Sequence, residues 1–168
     1  MFRLRTIGGG LTILALVSLL HGFTVAPTTD PLIGSWNFTV TVTGGCTSGC
    51  KYVGLIAFNQ GGTVIEQRGT TVEYSGLGYV DRTSLGAWRS STAGTHSYTF
   101  RVKNFVFDST GKRSASIIGS SGVTLSSTRN SFSGSGTAKI FSAKGVLIET
   151  VAFDINGSRF CVETSCSS

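Results

Sequence analysis

The sequence predicts an all-β fold: an eight-stranded antiparallel up-and-down β-barrel that follows an N-terminal signal peptide. Three observations carry this expectation. Gly34-Ser35-Trp36 opens a run in which apolar and polar residues alternate, and comparable runs recur as far as Arg159. Those runs are separated by glycine turns, and no stretch after the leader shows helical periodicity. The composition agrees, with 23 glycines against two prolines in 168 residues, as expected for many short strands joined by tight turns. Closing such a sheet into a barrel removes the free edges that otherwise invite partner strands.

The elements follow in chain order. Residues 1–27 read as a signal peptide: Arg3 and Arg5 form a positive start, and 11–20 (LTILALVSLL) form an apolar segment of about ten residues. A bilayer needs about 20, so the segment is too short to span. Thr24-Val25-Ala26 offers small residues for cleavage, although Pro27 is a poor residue just after a cut. Residues 28–168 then form a single β-barrel domain, secreted or periplasmic, with no membrane span in the mature chain.

Within that domain 34–43 alternates cleanly, with Trp36, Phe38, Val40 and Val42 on one face. Strands follow at 51–58 and 63–68, joined by the glycine turn Asn59-Gln60-Gly61-Gly62. The stretch 69–84 holds a short strand over 71–74 and a long loop over 75–84. Further strands are expected at 86–91, 96–108, 113–126, 132–143 and 146–160, the last after the tight turn Ala143-Lys144-Gly145. Phe105 and Phe107 leave both faces of the fifth strand apolar near its end, which calls for a bulge or an exposed patch.

Charge and cysteines narrow the class. Twelve of the 14 Lys and Arg and all eight Asp and Glu follow the leader, so the mature chain carries about +4. These charges are scattered rather than striped, which argues against a nucleic-acid surface. Cys46, Cys50, Cys161 and Cys166 are an even set in an exported chain, which points to disulfides. In an even-stranded meander the first and last strands run antiparallel, placing Cys46 and Cys161 at opposite ends. Local pairs are therefore favoured, Cys46 with Cys50 and Cys161 with Cys166, over the other pairings. A zinc site is the competing reading, and no histidine stands near to support it. No metal and no cofactor is expected.

Gly34 and Trp36 in the first strand, a meander, and Arg159 at the end of the last strand resemble the calycins, the superfamily of lipocalins, avidins and barrel-shaped metalloprotease inhibitors. The resemblance implies that Trp36 sits at the closed end of the barrel with Arg159 lying across it, a structural plug rather than a binding site. The lipocalin Thr-Asp-Tyr motif is absent, Tyr79-Val80-Asp81-Arg82 being no substitute, and no room remains for a helix after the last strand. The chain is similar to the compact, helix-free end of that superfamily, among exported bacterial barrels. The avidin ligand residues find no counterparts, so biotin is not implied.

Small barrels either fill with side chains or leave room for one small ligand. The first functional expectation is therefore binding of a small, mostly apolar molecule in the barrel. Its lining candidates are Phe38, Val40, Leu55, Tyr98, Phe100, Asn104, Ile140, Glu149 and Phe153. Glu149 falls in the apolar phase of the last strand, where a carboxylate is costly unless paired; it binds a ligand's polar group or pairs with an inward arginine such as Arg89 or Arg101, unless a bulge turns it to water. The alternative is a solid barrel acting through its loops, with the 69–84 loop meeting a protein partner as an interaction or inhibitor module. An enzyme of the cyclase or isomerase kind stands behind both. His96 starts a strand at a rim with no acid beside it in sequence, and no triad, metal cluster or phosphate loop is present, so no catalytic residue is assigned.

Overall fold

In a computed structural model, residues 30–43, 51–70, 72–74, 76–91 and 95–161 are described. Ten strands make up their regular structure: β1 (Gly34–Val42), β2 (Lys51–Phe58), β3 (Thr63–Arg68), β4 (Val72–Tyr74), β5 (Gly78–Val80), β6 (Thr83–Ser90), β7 (Ser97–Phe107), β8 (Arg113–Leu125), β9 (Ser131–Ser142) and β10 (Leu147–Arg159). Every pairing is antiparallel. Strands β1, β2, β3, β6, β7, β8, β9 and β10 follow one another around the sheet, and the β1–β10 and β7–β8 ladders close it into an eight-stranded barrel. Trp36 stands opposite Arg159 in the closing register.

The short strand expected over 71–74 is present as β4, whereas the stretch expected as a long loop over 75–84 holds β5 and the start of β6. Strands β4 and β5 pair with each other, and β5 then pairs with the end of β7. β6 also begins three residues earlier than expected, at Thr83 rather than Gly86. Gly78 (φ 117°) explains the misreading: the Phe107 carbonyl occupies the space where its Cβ would stand. A glycine that signals loop in the sequence here permits two backbones to approach.

Pleat direction then decides what fills the barrel. Inward positions are Trp36, Phe38 and Val40 on β1, Ile56 and Phe58 on β2, Val64, Glu66 and Arg68 on β3, and Tyr98, Phe100, Val102, Asn104 and Val106 on β7. Leu55 belongs to the opposite phase of β2. It is 42% exposed and is not part of the lining. The aromatic rings interlock edge to face: Trp36 with Phe132 at 5.2 Å, Phe58 with Phe100 at 5.5 Å, and Trp88 with Tyr98 at 5.9 Å between centroids. Inward glycines make room for other rings. A Cβ on Gly54 would come within 2.8 Å of the Phe38 ring, and one on Gly136 within 2.6 Å of Phe153. The interior from the Trp36 level upward is thus built of large rings seated on bare backbone.

The end of β7 carries a register shift between Val106 and Phe107. Phe105 and Phe107 are half-buried there, with ring centroids 6.5 Å apart. Cys161 lies just past β10, at the Trp36 end; Cys46, Cys50 and Cys166 fall outside the described residues, as does the 1–27 segment.

Candidate functional site at the barrel mouth

The two ends of the barrel differ. At the Trp36 end the Arg159 guanidinium lies over the indole ring, 4.1 Å from its centroid. Its Nη1 donates to the Ile33 carbonyl at 3.2 Å, and Trp36 Nε1 donates to the Leu32 carbonyl at 3.0 Å. Trp36 and Leu32 are completely buried. The cation over the indole and the donors directed at carbonyls of the segment before β1 close this end. His96, at φ 52°, precedes β7 at the same end, and Leu125 N donates to its carbonyl. It is a barrel length away from the polar groups described next.

The opposite end, where β1, β3, β7 and β9 finish, carries a buried polar cluster. Arg68 and Glu66 are 7% and 4% exposed and form an ion pair, with Nε donating to Oε1 at 3.1 Å. Ser84, fully buried and directly opposite Glu66 in the ladder, donates its hydroxyl to the other carboxylate oxygen at 3.0 Å. Arg68 Nη2 donates to Asn104 Oδ1 at 2.9 Å, and the Arg68 guanidinium lies over the Tyr52 ring at 4.9 Å. Burial, with a smaller push from the Glu66 charge, raises the Tyr52 phenol to about 12, while Arg68 opposes the rise. Tyr52 is therefore a neutral hydrogen-bonding group at physiological pH.

The wall changes character around the ring. Asn104 stands opposite Ile117, Ile117 opposite Ile140, and Ile140 opposite Glu149. One side of the mouth, on β3, β6 and β7, is polar and charged. The other, on β8 and β9, is aliphatic, and β10 contributes Glu149 and Val151, both half-buried. A register shift between Leu147 and Glu149 sets this phase.

The expected lining thus separates into two groups. Phe38, Val40, Tyr98, Phe100 and Phe153 belong to the packed core. Asn104, Ile140 and Glu149 are at the mouth. Arg89 and Arg101 are exposed on the outer face, so the inward arginine is Arg68 and its carboxylate is Glu66. Glu66, Arg68, Ser84 and Tyr52 were not legible as site residues. The signal for them was phase: Phe58 pairs with Val64, which carries Glu66 and Arg68 inward with it.

A groove of about 310 Å³ lies near the closed end, lined by residues such as Thr124, Ser133, Asn156 and Phe132. It has no titratable side chain. Among the described residues no group of three His, Cys, Asp or Glu is placed to hold a metal ion. No helix of the described residues is long and apolar enough to cross a membrane. No protein-family model matches the chain, and a comparison with curated proteins finds no relative.

Proposed function

We propose that the chain is an exported, calycin-like binding barrel that holds a small, mostly apolar ligand at its mouth. The aliphatic wall of Ile117, Ile140 and Val151 faces the ligand's body, and the wall of Tyr52, Arg68 and Asn104 takes its polar end. One observation carries this reading: a charged pair buried inside a mostly apolar barrel, at the end that the Trp36 plug does not close. Such a pair is seldom the most stable filling, because apolar residues of similar volume are often neutral or better. A few placed polar groups in an apolar concavity are the usual make-up of a small-molecule site. Export and the local disulfides Cys46–Cys50 and Cys161–Cys166 belong to the same proposal.

Native mass spectrometry of the protein from its exporting host, before and after organic extraction, tests it. The expected result is a discrete mass that extraction removes. A clean unliganded mass, together with no thermal shift against a panel of apolar molecules, would refute the reading.

A second reading has its own support. Every buried side-chain nitrogen and oxygen among the described residues has a partner within the protein, so the polar cluster is satisfied without a ligand. That favours a filled barrel working through its surface, with the β4–β5 hairpin as the element that meets a protein partner. Affinity capture on the extracellular or periplasmic fraction, compared between the native chain and one with that hairpin shortened, distinguishes it.

A further inference from the structure

The β9–β10 turn exposes three aliphatic residues in succession: Val146, Leu147 and Ile148, at 64%, 50% and 48%. Consecutive residues of a strand face opposite ways, so no single packing surface explains all three. A run of this kind on a surface is a folding and solubility liability unless it is used. The neighbouring β7–β8 turn supplies charge. Arg113 reaches across and donates Nη2 to the Ala143 carbonyl at 3.2 Å, and Lys112 and Lys144 are exposed beside it. The acid of that turn, Asp108, keeps its charge, with Oδ1 accepting from the backbone of Thr110 at 2.9 Å and of Lys112 at 3.0 Å, and is outnumbered by the three cations.

We infer that this tip is a membrane-surface anchor, which lays its aliphatic residues into the interface of an anionic lipid bilayer while Lys112, Arg113 and Lys144 meet the headgroups. Aliphatic residues bordered by Lys and Arg are the composition of interfacial anchors, and each nearby cation adds attraction to an anionic leaflet. A protein partner is less well matched, because protein hot spots favour Trp and Tyr and under-use Leu and Val. A second copy is less well matched, since a two-fold contact between two such tips would gather two sets of these cations at one interface. The tip stands at the mouth end of the barrel, but the inference does not depend on the ligand reading.

The test is co-sedimentation of the exported chain, its mature N-terminus verified by mass, with phosphatidylcholine vesicles and with vesicles half phosphatidylglycerol. The expected result is at least tenfold stronger partitioning to the anionic vesicles, weakened by salt. The variant V146S/L147S/I148S is expected to lose tenfold or more of that partitioning while keeping the native melting temperature. K144E provides a second reading if the triple variant fails to fold, and is expected to lower the preference for phosphatidylglycerol. Equal partitioning to both vesicles, or a triple or K144E variant that partitions like the parent, overturns the inference. So does sedimentation showing a native dimer that the triple variant abolishes, which would make a second copy the occupant.

Discussion

The guanidinium of Arg68 meets a carboxylate, an amide oxygen and a phenol ring within one wall of the barrel. Removing either member of a buried ion pair leaves the other charged and unpaired, which costs about 3–5 kcal/mol. Arg68→Met and Glu66→Leu are each expected to destabilise strongly in urea titration. Glu66→Leu with Arg68→Met should cost less than the sum of the singles, and the double-mutant cycle reads that coupling directly. Tyr52 gives a second handle. Its folded pKa of about 12 lies above the ordinary 10.0, so between these values the unfolded chain has released a proton that the native chain keeps. The resulting stability is complete below about pH 10 and is lost as pH rises toward 12, on the order of 2–3 kcal/mol. Burial also raises Tyr98, so Tyr52→Phe should flatten part of that alkaline slope, measured by denaturation at pH 9 and 11.5. These residues were hidden in the sequence for a physical reason. The run 63–68 offers an apolar residue in each phase, Val64 in one and Ile65 in the other. Charges at 66 and 68 therefore read as solvated until the Phe58–Val64 register settles which phase is buried.

At the scale of elements, the alternation of β1 and the glycine turns made most strands legible to within a few residues. Period-two patterning reports burial directly when one face is wet. It fails where both phases are apolar, as in β2, where Val53 and Leu55 are half-exposed beside the inward Ile56 and Phe58. It fails again where a glycine serves a close approach, as at Gly78. The inward glycines mark the opposite lesson, since each is a seat for a ring. Gly136→Ala would drive a methyl into Phe153 and the backbone beyond it. Overpacking of this kind costs about 1–3 kcal/mol, to be seen as a lower urea midpoint at unchanged slope. At the other end of the barrel Arg159→Lys keeps the charge but loses the planar stack on Trp36. The expected loss is about 1 kcal/mol, with a blue-to-red change in tryptophan emission reporting opening of the plug.

For the molecule as a whole, closure by the β1–β10 ladder produces two unlike ends, one plugged by Trp36 and Arg159 and one lined half by charge and half by isoleucine. The rings between them fill the middle of the barrel, and at the mouth Tyr52, Ile117, Glu149 and Val151 are half-buried. The proposed function is binding of a small, mostly apolar ligand there. Its most direct test is an amide NMR titration of the protein with anilinonaphthalene sulfonate as probe. Saturable shifts concentrated at Tyr52, Arg68, Asn104, Ile117 and Glu149, with the Trp36–Phe132 end unmoved, are the predicted result. Shifts confined to the outer faces of the barrel, or to the plugged end, would contradict it.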